Sequence, residues 1–224
     1  MSNPLTHLTI IPDGDRRWSV LNSVDSATAY IKGMEVLESV VKWAFEKKIL
    51  YVSFWVLSIE NDKRSSDWRM MFFGLLKKYL RPKCQAMFDQ NIAVKIIGDW
   101  RALENIKGDI EDILAQNPSN PAMTVIFFLR YSGTWDLCQA AAEMDKYHDK
   151  PEHILNYLQT RVQNIPDPEV LIRTSGVDRL SDYMMVQCAN TELYFLDKLW
   201  PDFTAKDCDE ILETFQKVER RNGK

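Results

Sequence analysis

The apolar run Leu8-Thr-Ile-Ile11, the amphipathic segment 27–47 and the second apolar run Tyr51-Val-Ser-Phe-Trp-Val-Leu57 together decide the fold class. Apolar runs of this length suit buried strands, whereas apolar residues spaced three and four apart over some twenty positions suit a helix. Two strands joined through a helix are parallel to each other. The stretch therefore predicts a β-α-β unit.

The same alternation continues along the chain. Further strand-like runs span 92–97, 124–129, 170–172 and 193–195, and helix-like segments span 66–89, 100–115, 134–147, 151–162 and 204–221. Strands separated by helices favour a mainly parallel sheet with helices on both faces. A chain of 224 residues with 46% hydrophobic content suits one α/β domain, which we place at residues 1–224.

Composition and charge exclude several classes of function. The formal net charge is −4 and the isoelectric point is near 5.5, so the general basic footprint of a nucleic-acid-binding protein is absent and no nucleic acid is expected as a partner. No stretch approaches the roughly 20 apolar residues that cross a bilayer, and the N-terminus has no charged leader. The four cysteines are scattered without metal-ligand spacing, as reduced thiols are. We expect a soluble, cytoplasmic protein with no transmembrane segment.

Polar clusters follow three of the strand-like runs. Because ligands of open α/β sheets bind beyond the carboxyl ends of the strands, these clusters are the first candidates for a site. The first is Pro12-Asp-Gly-Asp-Arg-Arg-Trp18. A carboxylate, a glycine and two arginines suit a magnesium-bound phosphate, although Asp-Gly is also a common turn.

The second cluster is Ser58-Ile-Glu-Asn-Asp-Lys-Arg64, which offers a hydroxyl, an amide and a guanidinium. It suits anion binding or proton relay, and equally a helix capped by Ser58. The third is Arg173-Thr-Ser-Gly-Val-Asp-Arg-Leu-Ser181, in which two arginines and three hydroxyls surround a glycine. That composition suits a cage for diphosphate oxygens.

Segment 63–90 has an apolar surface wider than one ordinary core stripe, with aromatic, leucine and methionine side chains from Trp68 to Leu80. Two interpretations stay open. The segment is a buried helix, or it is a helix that lines an apolar substrate channel.

Five blocks resemble, in order, the signature blocks of the cis-prenyltransferases. They are His7-Leu-Thr-Ile-Ile-Pro-Asp-Gly-Asp-Arg-Arg-Trp18, Ser58-x-Glu-Asn-x-x-Arg64, Ile97-Gly-Asp99, Leu171-Ile-Arg-Thr-Ser-Gly-x-x-Arg-x-Ser181 and Glu192-Leu-Tyr-Phe-x-Asp-x-Leu-Trp-Pro-Asp-Phe203. The resemblance runs nearly from end to end. It implies a magnesium-dependent prenyl diphosphate synthase with a six-stranded parallel sheet flanked by helices and an apolar substrate tunnel.

The resemblance also implies a role for each matching residue. Asp13 and Glu192 match the carboxylates of the Mg²⁺ site, and Ser58 and Asn61 match the pair implicated in proton removal. The residues implied to bind the prenyl diphosphate substrates are Gly14, Asp15, Arg16, Arg17, Trp18, Arg64, Arg173, Arg179, Ser181 and Gly223. The segment Arg221-Asn-Gly223 resembles an element that reaches the acceptor site across a homodimer, so the resemblance implies a self-sufficient homodimer.

Two departures from the chain-elongating members change the expected reaction. Tyr30 stands where those members carry a histidine, and Ser26 stands where they carry an arginine. The pattern Pro12-Asp-Gly-x-Arg-Arg-Trp-Ser19, together with Asn22, Val24 and Tyr30, resembles the small branch that makes irregular, lavandulyl-type diphosphates by joining two allylic units non-head-to-tail. Tyr30 is a further catalytic candidate, since a phenol donates a hydrogen bond at neutral pH but is a poor base. Val56 stands where long-chain members of the family tend to have a smaller residue facing the tunnel, and this favours a short product.

Two other functions stay open. The first is a regular head-to-tail, short-chain cis-prenyl diphosphate synthase that uses isopentenyl diphosphate. The second is a non-catalytic partner subunit, of a kind that typically lacks the metal aspartate. Retention of Asp13 favours catalysis over the partner role.

Overall fold

A computed structural model describes residues 4–218 of the chain, and within them six strands form a single sheet. The strands are β1 His7–Ile11, β2 Tyr51–Ser58, β3 Ile92–Ile97, β4 Met123–Tyr131, β5 Val170–Arg173 and β6 Glu192–Phe195. Their order across the sheet is β3-β4-β2-β1-β5-β6, and every neighbouring pair is parallel. The predicted parallel sheet flanked by helices is confirmed.

The helices alternate with the strands along the chain. They are α1 Asp15–Leu21, α2 Ser26–Glu46, α3 Ser66–Phe88, α4 Lys107–Leu114, α5 Gly133–Lys146, α6 Gln159–Val162 and α7 Ala205–Gln216. Helix α1 was not predicted, because seven residues beside an Asp-Gly turn are too few for a helical pattern to emerge. The predicted helix 151–162 is instead a 3₁₀ helix, Pro151–Tyr157, followed by the single turn of α6.

The core lies on both faces of the sheet. On one face, Val52 and Phe54 of β2 pack with side chains from α2, α3 and α7. On the other face, Phe128 and Tyr131 of β4 pack with Tyr183 from the loop that precedes β6. All five residues of β1 are buried. A strand covered on both faces has to be apolar nearly throughout, and this is why β1 appears as a short continuous apolar run.

The strand order brings the polar clusters together. Strand β1 lies between β2 and β5, and all three are parallel. Their carboxyl ends therefore meet at one edge of the sheet, and the clusters that follow Ile11, Leu57 and Arg173 face a common space. None of the helices within residues 4–218 combines the length and the apolar character needed to span a membrane.

Candidate active site

Asp13 is held in place through its backbone. Its N–H donates to Thr174 Oγ1 at 2.9 Å, the same hydroxyl donates to the Asp13 carbonyl at 2.7 Å, and the N–H of Trp200 donates to that carbonyl at 3.0 Å. Gly14 follows with φ of 121°, and a Cβ there would lie 2.9 Å from Leu199 Cδ2. Glycine is needed here because a side chain would be strained at this φ and would clash with Leu199. These contacts leave the Asp13 side chain free to face the space beyond β1.

Arg173 is the fixed cation beside Asp13. Its Nη2 donates to Asp13 Oδ2 at 3.0 Å, and its Nη1 donates to Ser181 Oγ at 2.8 Å and to the carbonyl of Arg179. The Arg173 side chain is 7% exposed, whereas that of Asp13 is 34% exposed. The Arg173 Nε is buried without a protein partner. A buried donor without a partner costs free energy that an anionic ligand would recover.

The second cluster forms the 3₁₀ helix Ile59–Lys63. The Ser58 N–H donates to Asn61 Oδ1 at 2.9 Å, and the Ser58 side chain accepts from the backbone of Asn61, so Ser58 does cap this turn. Arg64 follows, with its guanidinium carbon 4.8 Å above the Trp68 ring and its Nη1 buried without a protein partner. Ser58, Asn61 and Arg64 also line the shared space, so capping by Ser58 does not exclude the predicted role in the site.

That shared space is a polar cavity of about 870 Å³. Its wall includes most of the residues predicted to act on substrate, namely Asp13, Gly14, Asp15, Arg16, Arg17, Tyr30, Ser58, Asn61, Arg64, Arg173 and Ser181. Four guanidinium groups outnumber two carboxylates in this set. The cavity therefore suits a ligand with several negative charges.

Other predicted residues lie elsewhere. Trp18 Nε1 donates to Asp202 Oδ1 at 2.7 Å, and Trp18 is not part of the cavity wall. Arg179 is exposed and contributes its backbone carbonyl to Arg173. The predicted cross-dimer segment Arg221–Gly223 lies outside the described residues.

Glu192 is separated from Asp13 in the structure. It begins β6 and is paired in register with Val170, which is in turn level with Leu8 of β1. Asp13 lies beyond the other end of β1, so at about 3.3 Å per residue the two carboxylates are more than about 10 Å apart within one chain. They do not form one metal site in a single copy, and the metal role of Glu192 stays a prediction.

Tyr30 projects from α2 to the edge of the polar cavity. Trp68 Nε1 donates to its hydroxyl oxygen at 3.0 Å, and the ring packs edge-on against Phe72. Burial raises the pKa of Tyr30 above its usual value, so the hydroxyl keeps its proton. Because its oxygen already accepts from Trp68, the proton is available for donation to a ligand.

Asp15 lies beside Tyr30 at the start of α1. Burial, with a further contribution from the charge of Asp13, raises the pKa of Asp15 to about 7. A Cβ at position 33 would lie 2.6 Å from Asp15 Oδ1 and 2.9 Å from the Trp200 ring. Helix α2 therefore approaches this carboxyl closely only because residue 33 is glycine.

A narrow apolar cavity of about 170 Å³ adjoins the polar one. It lies between the sheet and helices α2 and α3, and its α3 wall is formed by Phe72, Leu75, Leu76, Tyr79 and Leu80. Helix α3 therefore lines an apolar cavity and also buries Phe72, Cys84 and Met87 in the core. That this cavity is a substrate channel stays a prediction. The residues that line both cavities are Pro12, Asp15, Tyr30, Trp55, Val56 and Phe72.

One arrangement near the site was missed from the sequence. Arg130 is the penultimate residue of β4 and has φ of 52°. It donates through Nε and Nη2 to Asp62 Oδ2 at 3.1 and 2.9 Å, and through Nη1 to Asp99. It therefore ties the turn that carries Ser58 and Asn61 to the ends of β3 and β4. The available signal was an arginine directly after the strand-like run 124–129.

Comparison with known proteins agrees with this geometry. The family model described as putative undecaprenyl diphosphate synthase, a prenyltransferase model, matches residues 11–223. An isoprenyl transferase of Neisseria meningitidis serogroup A is 32% identical, over 97% of this chain and 89% of that protein. A ditrans,polycis-undecaprenyl-diphosphate synthase of Coxiella burnetii, described as specific for (2E,6E)-farnesyl diphosphate, is 30% identical over 97% of this chain and 95% of its own length.

A solved structure is also similar. The crystal structure of lavandulyl diphosphate synthase from Lavandula x intermedia, in complex with dimethylallyl diphosphate, superposes with a TM-score of 0.91 at 27% identity, and 98% of each chain is covered. The family match spans nearly the whole chain, and the predicted parallel sheet is the fold of this neighbour. The chain therefore belongs to the prenyltransferase family described as putative undecaprenyl diphosphate synthase.

Proposed function

We propose that this prenyl diphosphate synthase joins dimethylallyl diphosphate to a second short allylic diphosphate, dimethylallyl or geranyl, in a branched, non-head-to-tail linkage. The observation that carries the proposal is Tyr30, a protonated phenol held by Trp68 where the polar and apolar cavities meet. A histidine there would be able to carry a proton away, whereas Tyr30 serves as a donor to the diphosphate. The likeness to a lavandulyl diphosphate synthase supports the same branch.

The polar cavity suits ionisation of an allylic diphosphate. As the carbon-oxygen bond breaks, both bonding electrons leave with the diphosphate and a carbocation remains. Arg64 and Arg173 each have a buried N–H without a protein partner, and Arg16 and Arg17 add charge at the cavity wall. Donors aimed at a developing anion in a site with little water stabilise it most effectively. We assign these groups to the departing diphosphate and to the diphosphate of the acceptor.

A magnesium ion fits the same cavity. Asp13 offers a partly exposed carboxylate, and Arg173 occupies only its Oδ2. Mg²⁺ is commonly held by one or two carboxylates together with phosphate and water oxygens. We propose that Asp13 holds the ion against the substrate diphosphate, where the bound metal would supply Lewis-acid stabilisation of negative charge. Glu192 would add to the site only from a second copy.

We assign the prenyl groups of the substrates to the apolar cavity. Its walls exclude water that would quench the carbocation, and burial of a prenyl tail contributes about 0.8 kcal/mol per methylene. A double bond of the acceptor then attacks the cation, a new carbon-carbon bond forms, and one proton is lost. We assign the relay of that proton to Ser58 and Asn61, which the 3₁₀ helix presents to the polar cavity, and its final acceptance to the departed diphosphate.

We further propose a cytoplasmic homodimer in which Arg221–Gly223 of one copy completes the acceptor site of the other. The test is complementation. An Asp13→Asn chain and an Arg221→Ala chain, each inactive alone, should regain activity when they are mixed and exchange subunits. Mixed chains that stay inactive although light scattering shows a dimer would contradict a shared site.

The linkage is tested with the purified protein and magnesium. Each allylic pair is incubated with and without isopentenyl diphosphate, the products are dephosphorylated, and the alcohols are identified by mass spectrometry. Branched alcohols formed without isopentenyl diphosphate are expected, and Asp13→Asn serves as the inactive control. Obligatory use of isopentenyl diphosphate would overturn the branched linkage and would establish the regular head-to-tail reaction, which the curated relatives favour.

The same assay addresses the non-catalytic alternative. Asp13 is partly exposed in the polar cavity, beside arginine donors that have no protein partner. Such a site suits catalysis by this protein without a different synthase subunit. Inactivity of the protein with every short substrate, together with activity after a second synthase is added, would instead establish a partner subunit.

A further inference from the structure

Strand β4 carries one extra residue beside the end of β2, and that residue is Arg130. Leu57 of β2 is paired in register with Leu129. The next residue, Ser58, is paired with Tyr131. Arg130 therefore has no counterpart on β2, as in a β-bulge, and its φ of 52° lies in the left-handed region that residues other than glycine rarely adopt. A bulge changes the direction in which the side chain of the extra residue points.

The guanidinium of Arg130 lies between two carboxylates from different parts of the chain. Its Nε and Nη2 both donate to Asp62 Oδ2, at 3.1 and 2.9 Å, and its Nη1 donates to Asp99, which follows β3. The Arg130 side chain is 24% exposed, compared with 41% for Asp62 and 30% for Asp99. Because two donors point at one carboxylate and the guanidinium is partly buried, this contact is stronger than an ordinary surface ion pair.

The backbone fixes Arg130 to the sheet. The Asp99 N–H donates to the Arg130 carbonyl at 3.0 Å, and Ile97 of β3 is paired in register with Phe128 of β4. A left-handed conformation at a residue other than glycine costs free energy and persists only where the surrounding contacts hold it. The guanidinium is therefore attached to a rigid part of the molecule.

The other side of the contact is the Ser58 turn, which runs from Ser58 to Arg64. Asn61 organises this turn from within, since its Oδ1 accepts from the Ser58 N–H at 2.9 Å and its carbonyl accepts from the Arg64 N–H at 3.0 Å. These three residues line the polar cavity, whereas Asp62 and Arg130 do not belong to its wall. Asp62 therefore connects the turn to the sheet from outside the cavity.

We propose that Arg130 is a positioning residue that, through Asp62, holds the Ser58 turn against the ends of β3 and β4 and so keeps the polar side chains of the turn directed into the polar cavity. The inference rests on the proposed function, since it takes Ser58 and Asn61 to relay a proton and Arg64 to bind diphosphate. Proton transfer requires donor and acceptor atoms about 3 Å apart. A shift of the turn by about 1 Å would therefore lower the rate by up to about 100-fold, although every catalytic residue would still be present.

The kinetic test is a double-mutant cycle on the pair. Asp62→Ala, Arg130→Met and the double variant are compared with wild type, with magnesium and the substrate pair that the wild-type protein uses. Each single variant should lower kcat by about 10- to 100-fold and change KM much less, because the diphosphate keeps its other arginine partners. The double variant should be no slower than the slower single variant, since both substitutions break the same contact. Losses in kcat that multiply in the double variant would overturn the pairing.

Hydrogen exchange tests the position of the turn without catalysis. The N–H groups of Ser58 and Arg64 are hydrogen-bonded within the turn, so their exchange reports its opening. Deuterium uptake by peptic peptides that span the turn should be about 10-fold faster in Asp62→Ala and in Arg130→Met than in wild type. Asp62→Ala leaves Arg130 paired with Asp99, so exchange in β4 and the melting temperature should stay unchanged in that variant. An arginine with a merely structural role would change those two quantities and leave the kcat of the folded enzyme as it is.

Two further variants serve as controls. Lys63→Met removes a cation from the same turn, but its ammonium pairs with Glu60 inside the turn, and the two side chains are 77% and 72% exposed. This variant should keep the kcat and the hydrogen exchange of wild type. Arg130→Lys keeps the charge but cannot direct a planar pair of donors at Asp62. Its kcat should lie between those of Arg130→Met and wild type.

The outcomes separate this proposal from the proposed function. Wild-type kcat in Asp62→Ala and Arg130→Met overturns the positioning role, whether or not exchange in the turn is faster. Wild-type protein that makes only head-to-tail products overturns the branched linkage and leaves the positioning role standing, because either coupling ends with the loss of a proton. Wild-type protein that is inactive with every short substrate overturns both, since no reaction would remain for Arg130 to support.

Discussion

The polar and apolar cavities share Tyr30 and Asp15 at their junction but are built in different ways. The polar cavity is formed by loops at strand ends, where Asp13 and Arg173 are fixed by hydrogen bonds of defined direction. The apolar cavity is formed by helix faces, where side chains such as Leu76 and Leu80 contribute volume and surface. Binding through directed hydrogen bonds is lost when a single donor or acceptor atom is removed. Binding by an apolar wall depends on its total volume and shape, which tolerate a change in one side chain better. Substitutions in the polar cavity should therefore have the larger effects.

The sharpest test of this contrast is Asp13→Asn, which removes one charge and almost no volume. We expect kcat/KM to fall by about 1,000-fold or more, or about 4 kcal/mol, because the amide is a weak magnesium ligand and no longer balances Arg173. Steady-state kinetics with saturating magnesium measure the loss. The matched control Asp178→Asn changes an exposed carboxyl of the neighbouring loop and should keep full activity. A variant of Asp13 with near wild-type turnover would remove this residue from the chemistry.

The next effect concerns Arg64, whose Nη1 is buried without a protein partner. Lysine in its place keeps the charge but loses the planar fork and the stacking on Trp68. We expect a fall of about 10- to 100-fold in kcat/KM, as for the loss of one or two charge-assisted hydrogen bonds. The control is Arg69→Lys, at an exposed position of α3. Equal kinetics for the two variants would mean that Arg64 does not contact the diphosphate.

Tyr30→Phe tests the junction of the two cavities. The variant loses the hydroxyl that accepts from Trp68 and keeps the aromatic packing on Phe72. We expect turnover to fall by about 10-fold, with a small change in melting temperature, because one hydrogen bond is worth about 1 kcal/mol. Tyr147→Phe, at an exposed tyrosine, is the matched control. Unchanged kinetics would show that Tyr30 acts only through its ring.

The smallest expected effect is on stability, through Asp15. Its pKa is about 7 in the folded protein, against 3.8 in the unfolded chain. Between these values the unfolded chain releases a proton that the folded protein retains, so the free energy of unfolding falls as the pH rises from about 4 to 7. Asp15→Asn should remove this dependence, so that the stability of the variant relative to wild type rises from pH 4 to pH 8.

Urea unfolding from pH 4 to 8, with a chelator present, measures this difference. The control is Asp25→Asn directly before α2, where hydrogen bonds from Thr28 lower the pKa of the carboxyl. That lowered pKa stabilises the fold at neutral pH, so the control should lose stability there. A wild-type profile that is flat between pH 4 and 7 would contradict the raised pKa of Asp15.

Much of the fold was predictable because its signals are local. The strand-like run 92–97 coincides with β3, and segment 66–89 coincides with α3 within one residue. The periodicity of apolar residues identified these elements, because each one buries apolar side chains at regular intervals along the chain. Helix α1 was missed because it is short and begins directly after Gly14. The helix predicted to continue to residue 221 is described as ending at Gln216, followed by the turn at Lys217.

The candidate site was predictable where its residues lie in short blocks. The loop of Asp13, the turn of Ser58 and the loop of Arg173 each keep their residues within a few positions of one strand end. The ion pair of Glu38 and Lys83 was not predictable in this way. Its members come from two helices and look in sequence like ordinary solvent-facing charges.

By itself, the sequence determined the β-α alternation, the polar clusters at the strand ends and the family resemblance, because each depends on neighbours in the chain. Only the tertiary structure decided that Glu192 lies far from Asp13 within one copy, that Tyr30 accepts from Trp68, and that Glu38 of α2 pairs with Lys83 of α3. The physical reason is that contacts between distant segments depend on strand order, register and helix packing. None of these three properties produces a repeating pattern in the sequence.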